Sequence, residues 1–138
     1  MLKDIPQLQV TDIAIAIVPV EDSVIENEED ALWEVYILNL KSEPIENVIV
    51  SSQGYGSYQG ESVKTSILRQ FLGTIEAGSY MQVEAIQKKV FGLNNEYWVS
   101  FYINKEIFDK KYVFLPESIS EEFYTHIPLI DLRGVMIK

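Results

Sequence analysis

The segment Gly54-Tyr55-Gly56-Ser57-Tyr58-Gln59-Gly60 is the first place where residue type and spacing suggest chemistry. Glycines that follow a strand can cradle a phosphate, because backbone N–H groups approach the anion with no Cβ in the way. The dinucleotide fingerprint requires G-x-G-x-x-G opening a helix within a βαβ unit. Here the third glycine, Gly60, comes one residue late. The phosphate loop requires Gly-Lys followed by Ser or Thr, yet Gly60 precedes Glu61, and Lys64-Thr65 falls outside the pattern. The segment therefore reads as a loop whose glycines supply positive φ. Tyr55 and Tyr58, set among Gly54 and Gly56, give it an adaptable surface suited to contact with a partner.

Other chemistry-bearing residues are sparse. His126 is the single histidine and there is no cysteine, which excludes a tetrahedral zinc site within one chain. His126 and Asp131 could form two-thirds of a Ser-His-Asp arrangement, but no G-x-S-x-G elbow supplies the nucleophile. The blander reading places His126 at a helix C-terminus, where its positive charge is favoured. Glu26, Glu28, Glu29 and Asp30 carry enough oxygen for Ca²⁺, yet the Asp-x-Asp spacing and turn glycine of a calcium loop are missing. They read as a solvated acidic loop. Trp33, Tyr97, Trp98, Tyr102, Tyr112 and Phe114 could build a ligand platform, although aromatics at strand spacing are more often core or cross-strand pairs. No two of the 21 acidic residues stand out as a glycosidase pair. No catalytic residue, cofactor site or metal site is assigned.

Composition narrows the partners. With 11 basic and 21 acidic residues the chain carries −10 at neutral pH. Nucleic acids and anionic membranes need aligned Lys and Arg, and the only basic pairs, Lys88-Lys89 and Lys110-Lys111, point to opposite faces if they lie in strands. A basic protein would instead be steered onto this surface. The longest early apolar run, Ile13 to Val18, is too short to span a membrane or form a signal-peptide core. Together with the absence of cysteine, this predicts a cytoplasmic protein. A chain of 138 residues is one domain on size, 1–138.

The elements that would position these residues are mostly strands. β-branched and aromatic runs predict strands over Thr11–Val20, Leu32–Leu40, Val48–Gln53, Val63–Ile75, Tyr80–Ile86, Tyr97–Ile103, Phe108–Leu115 and Leu129–Ile137. Val63–Ile75 also has spacings that suit a helix, but Thr65, Ser66 and Gly73 favour a strand with an irregularity. Asn104-Lys105-Glu106 turns a hairpin, and Pro44 and Pro116 end strands. Ser118-Ile119-Ser120-Glu121 has capping-box spacing and predicts a short helix through Thr125.

The runs Trp33-Glu34-Val35-Tyr36-Ile37-Leu38-Asn39, Val50-Ser51-Ser52-Gln53-Gly54-Tyr55-Gly56, Lys64-Thr65-Ser66, Asn95-Glu96-Tyr97-Trp98-Val99-Ser100-Phe101, Lys110-Lys111-Tyr112-Val113-Phe114 and Arg133-Gly134-Val135 go together. In them the chain resembles, over nearly its whole length, a small family of bacterial proteins with no established function. Members are sometimes labelled phenylalanyl-tRNA synthetase alpha subunit. Such a catalytic core is much larger and holds ATP with arginine-bearing motifs, whereas this chain has only Arg69 and Arg133, neither in that context. The resemblance implies a fold and a family, and no catalytic residues to carry over.

These readings predict an all-β, antiparallel, immunoglobulin-like Greek-key β-sandwich of seven or eight strands with one short helix near the C-terminus. The function expected is a non-enzymatic cytoplasmic interaction module that engages a protein partner or a second copy of itself. A ligand-binding protein or enzyme with an aromatic-lined pocket is the first alternative, and a synthetase-related accessory protein the second.

Overall fold

The structure, a computed structural model, describes residues 8–20 and 27–138. Their strands are β1 (Ile13–Pro19), β2 (Leu32–Asn39), β3 (Ile45–Tyr58), β4 (Glu61–Lys64), β5 (Leu68–Ile75), β6 (Ser79–Gln87), β7 (Asn94–Ile103), β8 (Glu106–Phe114), β9 (Thr125–Ile127) and β10 (Leu132–Ile137). Every strand pairing is antiparallel. The first sheet runs β6-β2-β1-β10-β9. In the second, β3 pairs with β7 on one edge, with β8 beyond it, and its other edge is shared by β5 and then β4.

Period-2 alternation explains how the sheets stack. Ile13, Ile15 and Ile17 of β1 and Val35 and Ile37 of β2 pack against Val48 and Val50 of β3 and Tyr97, Val99 and Phe101 of β7. Tyr112, on the inner face of β8, ties the sheets together by donating its hydroxyl to the Ile13 carbonyl at 2.6 Å. β1 is apolar on both faces. Its second row, Ala14, Ala16 and Val18, is also buried, under Leu38 and Ile127.

Several expected elements differ. The helix through Thr125 is absent, and the sequence there forms a single 3₁₀ turn over Glu121–Phe123, whose leading residue, Ser120, makes no side-chain cap. A segment this short cannot offset helix nucleation. In the extended form it buries Ile119 and Ile127 and gains three ladder pairs between β9 and β10. Val63–Ile75 is two strands broken at Thr65-Ser66-Ile67. The Gly/Tyr loop is in fact the second half of β3, held by β7 on one edge and β4 on the other. The chain reverses only at Gln59 and Gly60, both at positive φ (52° and 82°), the geometry of a two-residue hairpin turn. The turn expected at Asn104-Lys105 has the same form. With the split of Val63–Ile75 and the added β9, ten strands are seen among the described residues where seven or eight are expected from the sequence.

Candidate functional site

Ser52 and Tyr97 are direct cross-strand partners on the inner face of the second sheet. Opposite them lies β6, the edge strand of the first sheet. An ordinary strand would turn alternate residues of β6 inward. A bulge intervenes: Val35 pairs with Glu84 and Tyr36 with Gln82, leaving Val83 as the extra residue. Val83 is therefore buried while Glu84, its neighbour, also reaches between the sheets. Bulges often re-aim a side chain in this way beside a site.

The Glu84 carboxylate accepts two hydrogen bonds from the opposite sheet. Ser52 Oγ donates to Oε2 at 2.8 Å, and the Tyr97 hydroxyl donates to Oε1 at 3.1 Å. Tyr97 is 1% exposed, and burial, reinforced by the adjacent carboxylate, holds its hydroxyl well above the usual tyrosine range. The three side chains border a pocket of about 410 Å³ that opens where β4 and β5 separate. Its walls are Leu32, Leu68, Ile86 and Val90. Thr65 fixes the mouth by exchanging bonds with Gly54: the Gly54 N–H donates to Thr65 Oγ1 and the Thr65 N–H to the Gly54 carbonyl, each at 2.8 Å. The glycine eases this approach, since a Cβ on Gly54 would lie a tight 3.2 Å from Thr65 Cγ2.

A second feature is the outer face of the second sheet. Register places Phe71 beside Ile49, Arg69 beside Ser51, Ser51 beside Trp98, and Trp98 beside Lys111. Tyr102 pairs with Ile107 in the next outward row. Phe71 is 80%, Ile107 54% and Trp98 46% exposed. Lys111 Nζ sits 4.9 Å from the Trp98 ring and 3.7 Å from Glu96. Trp98, Arg69, Glu96 and Asp109 border a shallow groove of about 550 Å³.

Of the residues singled out in the sequence, Tyr55 is half-buried and turned, by alternation from buried Gly54, to the same outer face as Trp98. Gly54 and Gly56 serve close packing against Thr65 and Leu93. The Tyr58 side chain lies outside the described residues. His126 stands on β9 and not at a helix end, exposed and 3.1 Å from Asp131, and no serine hydroxyl bonds it among the described residues. Glu26 lies outside the described residues, and Glu28 pairs with Lys88 across two 3₁₀ turns. No group of three or more metal-ligating side chains occurs among the described residues. The six aromatics weighed as a platform or as core are divided: Tyr97, Tyr112 and Phe114 fill the core, Trp98 and Tyr102 face outward, and Trp33 packs edge-on against Phe91 and Tyr124. Glu84 is not visible in the sequence, because only the bulge at Val83 turns it inward. Among the described residues no helix is long and apolar enough to cross a membrane.

The chain matches no protein-family model, no curated protein and no solved structure at a significant level.

Proposed function

We propose that this protein is a non-enzymatic interaction module of the cytoplasm, and that it docks a protein partner on the outer face of its second sheet. The observation that carries the reading is the exposure of Trp98, Phe71, Tyr102 and Ile107 on one face of the second sheet, where Phe71 neighbours Ile49 and Tyr102 neighbours Ile107 across strands. Single exposed apolar residues are ordinary, whereas contiguous ones mark contact surfaces. Trp and Tyr beside Arg69 have the composition of interface hot spots. Tyr55 extends the same face, so the tyrosine picked out by sequence contributes from a strand and not from a loop. The net charge of −10 favours a basic partner and disfavours nucleic acid.

The strand order supports an immunoglobulin-like Greek-key reading of the sandwich. What supports it is the placing of β1-β2-β6 in one sheet and β3-β7-β8 in the other, with β10 and β9 beside β1 and β5 beside β3. Such sandwiches host many functions, so the assignment rests on the exposed face and not on the fold.

The test is native mass spectrometry of the tagged protein isolated from its own cells, beside the Trp98→Ala/Phe71→Ala double variant. The reading expects one protein partner at fixed stoichiometry with the wild type. It expects that partner to be missing from the double variant, whose circular dichroism stays native because both side chains are exposed. Equal partner occupancy in the two samples, or nucleic acid in place of a protein, overturns it.

A further inference from the structure

We infer that the inter-sheet pocket beside Glu84 is a binding site for a small organic ammonium. The pocket volume of about 410 Å³ falls within the range of small-ligand sites. Its lining combines polar side chains with Leu32, Leu68, Ile86 and Val90, which suit a short alkyl chain, and Glu84 is the carboxylate that bonds across the gap between the sheets. Both of that carboxylate's hydrogen-bonding partners are neutral hydroxyls, from Ser52 and Tyr97. An ionised carboxylate offers about four acceptor positions, and the two hydroxyls use two of them. A partly buried charge is normally matched by an opposite one. Among the described residues no Lys, Arg or His forms an ion pair with Glu84. Glu96, the other carboxylate at the rim, is already matched by Lys111.

The side chains around Glu84 set the character of a matching cation. A dedicated divalent-metal site usually gathers several carboxylates, and no group of three or more His, Cys, Asp or Glu side chains that could hold a metal occurs among the described residues. A sugar would want an exposed ring face, yet Tyr97 shows only its hydroxyl to Glu84. An alkylammonium fits both halves of the pocket: N–H donors for the remaining carboxylate positions, methylenes for Leu32, Leu68 and Ile86. Ser52 and Tyr97 hold the carboxylate in place before the ligand arrives, which lowers the ordering cost of binding.

The probe is n-butylammonium chloride, titrated into the labelled protein and followed by amide NMR. n-Butanol serves as the neutral isostere and sodium chloride as the ionic-strength control. Saturable shifts at the amides of Ser52, Glu84, Ala85 and Tyr97 are expected in the millimolar range with the ammonium and not with butanol. Glu84→Gln, which keeps the shape, is expected to weaken the ammonium by at least about tenfold, the worth of roughly one modest charge contact. Leu68→Lys at the half-exposed mouth keeps Glu84 and supplies an internal ammonium, so it is expected to block the site even if Glu84→Gln fails to fold. Linear unsaturated shifts, equal shifts with butanol, or unchanged affinity in either folded variant overturns the assignment. This outcome is independent of the outer-face reading, whose residues lie on the opposite side of the second sheet.

Discussion

Gly134 lies on β10 where the strand passes β1, and the two backbones approach closely there. A Cβ built on Gly134 would stand 2.3 Å from the Ile17 carbonyl oxygen and 2.7 Å from Val18 Cγ1. Real Cβ contacts begin near 3.0 Å, so Gly134→Ala forces a separation of roughly 0.7 Å between β10 and β1. The nearest obstacle is backbone and cannot rotate away. β1 is the central strand of its sheet and is buried on both faces, so moving it loosens the Ile13-Ile15-Ile17 row and the Ala14-Ala16-Val18 row together. Overpacking costs typically about 1–3 kcal/mol, and this site belongs at the top of that range. Unfolding entropy of about 2.1 cal/mol/K per residue over 138 residues gives roughly 0.3 kcal/mol/K, so a cost of about 3 kcal/mol lowers Tm by about 10 °C. Two variants calibrate the effect in the same thermal melt. Gly92→Ala meets only Glu117 Oε1 at 3.6 Å and should stay within about 1 kcal/mol of wild type. Gly78→Ala has open space but φ of +65°, and should lose about 1 kcal/mol from the left-handed backbone alone. A Gly134→Ala melt within about 3 °C of wild type, or a loss no larger than that of Gly78→Ala, refutes the close packing of β10 on β1.

Two further outcomes follow from other parts of the molecule. Lys105 occupies the second position of the β7–β8 turn at φ 67°, where glycine is preferred, so Lys105→Gly should raise stability by about 1 kcal/mol, read as a higher denaturation midpoint at unchanged slope. Burial and the Glu34 carboxylate push Tyr36 up to about 12, while burial foremost holds Tyr97 and Tyr112 higher still. Their folded values lie above the unfolded value near 10, so the folded state keeps protons that the unfolded chain releases. Their stabilisation is fully present below pH ~10 and is lost as pH rises through the folded values. Absorbance titration of the phenolates should thus show a resistant class that ionises only with loss of the native circular dichroism. Ionisation of all eight tyrosines in one step with the fold intact would contradict the burial of these three.

Much of the fold was legible from local pattern. Alternation along Tyr97–Ile103 and Phe108–Leu115 gave a hairpin that the structure contains with nearly the same bounds, because β-branched and aromatic residues fill both strands and a turn signal lies between them. The turn at Asn104-Lys105 was equally plain, since few residues accept its positive φ. Errors arose where distant partners override local preference. Ser118–Glu121 has a helix-start signature, yet burying Ile119 and Ile127 outweighs one turn of helix. Gly54–Tyr58 looks like a loop because glycine is poor in strands. It stays extended because β7 and β4 bond both its edges and because Leu93 and Thr65 occupy the space a Cβ would fill.

Composition and period-2 patterning were enough to set the class, an antiparallel all-β chain poor in basic charge and without metal-binding histidine or cysteine clusters, because those properties are local or additive along the chain. The tertiary structure alone decided which residues meet. Glu84 faces Ser52 and Tyr97 only because one bulged residue shifts the phase of β6, and Trp98 and Phe71 share a face only through the register of β3 with two neighbours. Phase and register depend on contacts between residues far apart in sequence, and a one-residue slip in either turns a side chain to the opposite face.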